Sequence, residues 1–357
     1  MDLVERVKQI GLDAGLADVR VASAEPFEAT RRHIEERKAT GYFGTMRFTT
    51  ARPAVSTNPA SAVPGAQSLV VGAYGYWRPD PPPPAAGRIT GRIGRFSWTD
   101  WYAGLRSGLG AIAGALHDGG FAARVMVDDN GLVDRAAAER AGIGWFGKNT
   151  NVLHPRLGSW VVLGSVVTDA LLPPDPPSSG TCGTCERCLP ACPTGAFVAP
   201  GVLDARRCIS YLLQAPGDIP EEMRAAVGDR VYGCDDCQDA CPPNHRAVRH
   251  GHVAAPPSEP LEARVDLEWL LTATDGEILE RFSRFYIPRR DPRYLRRNAL
   301  VALGNSRRGD ALKLIDRFVG HPDAMLRRHA RWARRQCETV SVTTTAGARV
   351  VAGGAAG

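Results

Sequence analysis

The chain has 357 residues, 44% hydrophobic and 23% charged, with a net charge of +6, the balance of a globular protein large enough for two or three domains rather than of a disordered one. Met1 to Arg6 lacks a basic stretch followed by an apolar core, so no signal peptide is expected. The longest apolar run, near Trp160 to Val167, is far too short to cross a bilayer, so the expected location is cytoplasmic with no membrane partner.

In chain order, Asp2 can cap a first helix in which Leu3, Val4, Val7 and Ile10 recur at helical spacing. Pro64-Gly65 marks a turn before a strand over 68–77, and Asp80 to Pro84 is a proline-rich loop. A long helix is predicted over 99–117, capped by Thr99 or Asp100 and stopped at Gly119-Gly120. A strand over 122–127 follows, then the turn Asp128-Asp129-Asn130-Gly131, a short helix over 134–141, and a strand over 159–168. Asp134 stands where a helix N-cap belongs. The prolines between Leu171 and Gly180 form a hinge into a cysteine-rich segment, and Pro256 to Pro260 form another break. Helices over 294–304, 310–320 and 326–336 come next, then a tail over 339–357 without periodicity, expected to be disordered. The predicted organisation is therefore an α/β domain over 1–175, a cysteine domain over 176–250, a helical segment over 260–337 and a tail over 338–357.

Eight of the nine cysteines fall into two runs with one grammar. The first is Cys182, Cys185, Cys188 and Cys192, followed by Pro193; the second is Cys208 and then Cys234, Cys237 and Cys241, followed by Pro242. Both end in C-x2-C-x3-C-P, the pattern that holds paired 4Fe–4S clusters, in which the last cysteine of each run ligates the other cluster. That assigns Cys182, Cys185, Cys188 and Cys241 to one cube and Cys192, Cys208, Cys234 and Cys237 to its neighbour. The proline after each run should stop the local helix. Structural zinc is the alternative, because C-x2-C pairs also form zinc knuckles. Cys337 fits neither run and reads as a bystander, and a disulfide framework is not expected.

Charge is uneven: Arg281 to Gln336 carries fifteen Arg and one Lys against four Asp and no Glu, a net +12. Such an arginine excess points to a polyanion, and a solvated helical face is the plainer reading. No G-x-G-x-x-G follows a strand, so a Rossmann nucleotide site is not supported, and no Asp-x-His-x-x-Gly offers a lower axial histidine to cobalamin. Two clusters alone move electrons, so the N-terminal half must hold the group that receives them.

Taken together, Met126-Val127-Asp128, the string from Asp134 to Trp145 (DRAAAERAGIGW), Gly158-Ser159-Trp160, Ala191-Cys192-Pro193-Thr194-Gly195-Ala196, Arg207-Cys208-Ile209-Ser210-Tyr211 and Tyr232-Gly233-Cys234-Asp235-Asp236-Cys237-Gln238 resemble the epoxyqueuosine reductases over residues 1 to 336. The resemblance implies a cobalamin-binding α/β domain, a ferredoxin-like double 4Fe–4S domain and a HEAT-like helical segment. In that reading two clusters and cobalamin, fed by an external low-potential electron donor, convert epoxyqueuosine to queuosine at the tRNA wobble position. It implies Asp128 as the proton donor. It also implies cobalamin contacts at Gly94, Asp128, Val152, Leu163, Ser210, Asp235 and Asp236, with Trp145, Lys148 and Tyr211 as ligands or packing residues. Arg290, Arg296, Arg297 and Asn298 match the segment that grips the anticodon stem-loop, and the protein is expected to act as a monomer. Two departures stand out: Ser56 occupies a place where an arginine is common, with Arg52 as the residue to compensate, and Pro243-Asn244 follows Pro242. The rival readings are a dehalogenase-like corrinoid reductase acting on a small molecule and a non-catalytic Fe–S electron carrier or nucleic-acid-binding protein.

Overall fold

The computed structural model describes residues 2–82, 87–251 and 260–350, with side chains to 338. The prolines at 83–84 and 256–259 lie outside the described residues. The chain divides into two compact units interleaved along the sequence. The first comprises 1–79, 99–208 and 235–261; the second comprises 80–98, 209–234 and 262–357. The consecutive division at 175 and 250 is therefore corrected: segments distant in sequence pair as strands and helix faces, which a linear scan of composition cannot register.

The first unit is built on a four-stranded sheet of wholly antiparallel pairs, in the order Asp18–Ser23, Ser68–Gly75, Val161–Thr168 and Ala123–Val127. Val70 lies opposite Val21 on one side and Val166 on the other. The central strand is buried along most of its length, which explains its continuous run Leu69-Val70-Val71. The edge strand Asp18–Ser23 was not anticipated, although Val19 and Val21 alternate with polar residues as a strand requires.

Alternation sends successive residues to opposite faces. Leu69, Val71 and Ala73 join a core with Phe27, Leu132, Ala136 to Ala138 and Ile143. The other face meets the helix Trp101–Asp118, whose Leu105, Leu109, Ile112 and Leu116 are buried at i, i+4, i+7 and i+11. That helix is capped by Asp100, which accepts from the Ala103 amide at 3.1 Å. Gly72 lets it approach: a Cβ there would lie 3.0 Å from Leu109 and Leu16. The first helix, Leu3–Asp13, is capped by Asp2 through the Glu5 amide at 2.8 Å, as the sequence predicts.

The second unit holds a three-stranded sheet centred on Thr90–Ile93, parallel to Arg230–Tyr232 and antiparallel to Arg264–Asp266. Its helices include Arg293–Ser306, Leu312–Val319 and Ala324–Val350. A Cβ on Gly304 would lie 2.8 Å from the Ala333 Cα, so that glycine permits close helix packing. Cys337 is fully buried, its thiol donating to the Leu303 carbonyl at 3.6 Å, a packing role. The helix continues to Val350, where an unstructured tail was expected from 339 onward; no proline or glycine precedes Gly347 to stop it. Residues 351–357 lie outside the described residues.

Candidate redox and proton-donor site

Cysteines 182 to 192 sit on successive tight turns, with the Cys185 amide donating to the Cys182 carbonyl at 3.0 Å and the Cys192 amide to the Leu189 carbonyl at 3.3 Å. The thiols of Cys182, Cys185, Cys188 and Cys241 are electrostatic neighbours. Burial pushes the Cys241 thiol up to about 11, the Asn244 amide opposes it, and Cys188, Cys182 and Cys185 add to it. This is the set that the spacing assigned to one cube. Among the described residues no three His, Cys, Asp or Glu side chains are gathered closely enough to share one metal ion. Single-ion zinc needs such a gathering, whereas a cube holds its thiolates at separate iron corners. The four thiols therefore fit a cluster.

Cys192 accepts from the Ala196 amide at 3.3 Å, and the Arg207 guanidinium donates twice to the Thr194 carbonyl, at 3.0 and 2.8 Å. The turn after Cys192 is thus tied to the residue preceding Cys208. The expectation that proline ends a helix after each run is corrected at the second. The helix Asp236–Asp239 does end there, but Pro242 opens the next helix, Pro242–Arg249, as its first residue. A first-turn proline loses no hydrogen bond, since that amide has no partner in any helix.

A buried polar node fastens this second run to the sheet. Gln238 Oε1 accepts from Tyr76 Oη at 3.0 Å and Ser159 Oγ at 2.9 Å, while Gln238 Nε2 donates to Asp235 at 3.2 Å. Asn244 Nδ2 donates to Ser159 Oγ and the Gln238 carbonyl, both at 2.8 Å, and Asn244 Oδ1 accepts from the Ser159 amide at 2.6 Å. Gly158, at φ 61, is required here, because a Cβ would lie 2.0 Å from Asn244 Oδ1. Sequence reasoning missed Tyr76, Gln238 and Asn244; the polar residues flanking Cys237 and Cys241 were the available signal.

Asp128 ends the strand Ala123–Val127 with a left-handed backbone, φ 50, uncommon outside glycine and tolerated best by Asp and Asn. It is exposed at its surface, and the surrounding protein nonetheless raises its carboxyl above the usual range by desolvation, with Arg106 opposing and Asp129 adding. Asp134 is not the N-cap: it is the first residue of the helix Asp134–Arg140, Val133 holds the cap position, and no side chain caps that end. The turn geometry decides this, since the Val133 amide donates to the Ser56 carbonyl at 3.1 Å and fixes the chain one residue early. Asp134 Oδ1 is shielded from solvent with no hydrogen-bond partner. Burial pushes this carboxyl well up, Asp128 and Asp129 add to the shift, and Arg135 opposes it.

Tyr102, in the first turn of the long helix, is raised by burial and then by Asp128 and Asp134. Tyr76 is raised by burial, by Asp235, by Tyr102 and by Cys237. A continuous series of neighbours therefore runs within the first unit from Cys237 through Asp235, Tyr76 and Tyr102 to Asp128 and Asp134. Neither tyrosine was singled out from sequence, because an isolated Tyr beside a strand or helix end reads as packing.

The other expected residues separate into two groups. Val152 is buried and Leu163 packs partly against the sheet core. Asp235 is buried in the polar node and Asp236 begins its short helix. In the second unit, a Cβ on Gly94 would lie 3.3 Å from the Gly233 Cα and 3.4 Å from the Cys234 amide nitrogen, so close backbone packing accounts for it. Ser210 Oγ accepts from Gln214 Nε2 at 3.1 Å, and Tyr211 lies in the same short helix, Ile209–Gln214. Trp145 packs against Gly180, where a Cβ would lie 1.9 Å from its ring, and Lys148 pairs with Glu186 at 3.1 Å. Ser56 is fully buried and donates to the Thr49 carbonyl at 2.6 Å, while Arg52 is exposed.

Two of the four residues expected to grip nucleic acid are corrected. Arg297 and Asn298 are fully buried. The Arg297 guanidinium donates to the carbonyls of Leu212, Ala215 and Gly217 and to Asn298 Oδ1, and Asn298 Nδ2 donates to the carbonyls of Leu213 and Val231. Both face inward because they share the inner side of their helix with the apolar core positions. Arg296 pairs with Asp275 at 2.5 Å, and Arg290 is exposed. The arginine excess is also partly neutralised by acids from outside its own segment: Arg284 by Glu262 at 2.8 Å, Arg328 by Asp218 at 2.8 Å and Arg335 by Glu221 at 2.8 Å.

A family model described as a 4Fe-4S double cluster binding domain matches residues 181–244. The epoxyqueuosine reductase of Bacillus cereus is 35% identical over 93% of this chain and 87% of its own length. That of Pseudomonas aeruginosa is 35% identical over 94% and 95%. A solved structure of epoxyqueuosine reductase with a tRNA-Tyr epoxyqueuosine-modified stem loop is similar at a TM-score of 0.85 and 32% identity, covering 93% of this chain and 89% of that one.

Proposed function

This chain belongs to the epoxyqueuosine reductase family, and from that premise we propose that it reduces epoxyqueuosine to queuosine at the wobble position of tRNA. The observation that carries the reading is the line of neighbours from Cys237 to Asp128, which brings an electron-delivering thiolate and a proton-donating carboxyl to one region of one unit.

Two 4Fe–4S clusters are held by Cys182, Cys185, Cys188 and Cys241 and by Cys192, Cys208, Cys234 and Cys237. An external low-potential donor supplies them with single electrons. Cobalamin, when bound, supplies electron density for cleavage of the epoxide C–O bond. The residues of the first unit that would hold it are Asp128, Val152, Leu163, Asp235 and Asp236. Tyr76 and Tyr102 fit beside a corrin, being buried, aromatic and un-ionised at neutral pH.

Asp128 acts as general acid. An opened epoxide leaves an alkoxide, a poor leaving group unless protonated as it forms, and a carboxyl raised toward neutrality keeps its proton until that moment. Its exposure leaves it accessible to an incoming nucleotide. The helices from Arg293 to Gln336 resemble short HEAT-like repeats, and their exposed arginines, Arg290 foremost, contact phosphate and set orientation.

The test is nucleoside analysis of tRNA from cells lacking the protein. Accumulated epoxyqueuosine, cleared when the gene is restored, is the expected result. Normal queuosine in a strain with no second such enzyme would overturn the reading.

A further inference from the structure

Removal of an epoxide oxygen needs more from an acid than one carboxyl can hold. The ring opens when one C–O bond breaks and the oxygen takes a proton, giving a hydroxyl. That hydroxyl leaves as water only when the second C–O bond breaks with a second proton. Two electrons from the external donor and two protons are consumed, and one water is released. Asp128 has a single proton to give in each ionisation cycle.

The second carboxyl of this region has the properties of a reserve. Asp134 Oδ1 is shielded from solvent and receives no hydrogen bond. A carboxylate there would have a charged oxygen with neither water nor donor, whereas a carboxylic acid carries its own proton and avoids that cost. The helix end offers no relief, because Asp134 is its first residue rather than its cap. The groups around it are Asp128 and Asp129 from the turn, Tyr102 from the long helix and Arg135 from its own helix; Arg106 acts on Asp128 and Tyr102. Arg135 is partly engaged elsewhere, donating to the Thr150 carbonyl at 3.2 Å. The two carboxyls and Tyr102 are mutual neighbours, so a proton need not come from bulk water between the two steps.

We propose that Asp134 is the positioning residue that recharges Asp128, holding the second proton and passing it on after the first has been spent. Asp128 gives its proton as the ring opens and becomes a carboxylate. The Asp134 O–H then transfers its proton to Asp128, which delivers it to the departing hydroxyl, and bulk water reprotonates both residues afterwards. Burial disfavours Asp134 as the anion, so bulk reprotonation follows each turnover quickly.

The relay rests on the proposed epoxide chemistry, and its test has one arm independent of it. Infrared spectroscopy of the full chain at neutral pH should show a protonated carboxyl band that is lost in Asp134→Asn and kept in Asp129→Asn. Absence of that loss would overturn the proposal without touching the function. In the anaerobically loaded protein, Asp134→Asn should lower kcat roughly 10²-fold, at the lower edge of general-acid effects, with KM for the tRNA unchanged. Its activity should also fall off at lower pH than that of the wild type, and Asp134→Glu should recover part of the rate. A variant that folds, binds tRNA and shows the wild-type kcat and pH profile would sink the relay while leaving Asp128 in place. A wild-type protein without epoxyqueuosine turnover would instead remove the functional reading, and the infrared band would still report on Asp134.

Discussion

Asp134 in the first unit and Arg297 in the second both carry an ionisable head away from water, under opposite conditions. Arg297 spends its donors on three carbonyls and the Asn298 side chain. Burial pulls it down to about 9, so it stays charged at neutral pH. Asp134 has no partner for Oδ1 and responds by keeping its proton. A buried charge with every partner present holds backbone segments together, whereas a buried acid without partners is free to exchange its proton. The difference separates architecture from chemistry better than residue type does, since arginine in a basic helix was the residue expected to meet nucleic acid.

The contrast can be broken most forcefully at Arg297. Arg297→Met should cost about 3–5 kcal/mol in equilibrium denaturation, because it strips the acceptors from the 212–217 segment. A stable variant whose tRNA affinity falls would return Arg297 to the nucleic-acid role. Asp128→Asn probes the other side: turnover should fall roughly 10²- to 10⁴-fold while iron content and denaturation midpoint stay at wild-type values. Full activity in that variant would move the acid elsewhere.

His329 offers an intermediate case, buried and satisfied while neutral. Its Nδ1 donates to the Met325 carbonyl at 2.8 Å and its Nε2 accepts from the Ile219 amide at 3.2 Å, so protonation must break the second bond. Burial lowers it to about 4 from 6.5. The unfolded chain therefore binds a proton that the folded chain refuses, and stability should be full above pH 6.5. It should then drop by about 3 kcal/mol as pH falls toward 4, a slope that His329→Gln would remove in urea titrations at stepped pH. Asp134 acts with the opposite sign. Its raised carboxyl is harmless in acid and costs stability as pH climbs above the ordinary carboxylate range, so Asp134→Asn should flatten that alkaline decline.

The smallest effect is expected at the surface. Arg290 is exposed and makes only long contacts, 3.3 Å to the Leu279 carbonyl and 3.5 Å to the Ser283 carbonyl. Arg290→Ala should weaken tRNA binding modestly, reducing the slope of log affinity against log salt by about one, with stability unchanged. An unaltered salt slope would take Arg290 out of the interface.

Spacing along the chain was sufficient wherever the chemistry is local. Two cysteine runs identify clusters because a cube needs thiolates at short fixed intervals, and the thiols of Cys182, Cys185, Cys188 and Cys241 come together as that grammar requires. Alternation and caps likewise placed three of the four strands in the first sheet and the helices after Asp2 and Asp100. Composition failed for charge: a net +12 between Arg281 and Gln336 counts the arginines but not Glu262, Asp218 and Glu221, which lie outside that segment and neutralise several of them. Only the folded chain decided that Arg297 and Asn298 face inward, that Asp134 caps nothing, and that Tyr76 and Tyr102 join a cluster thiol to a carboxyl pair. The reason is physical: a ligand interval is set by the chain itself, while the energy of a charge is set by whatever folding brings beside it.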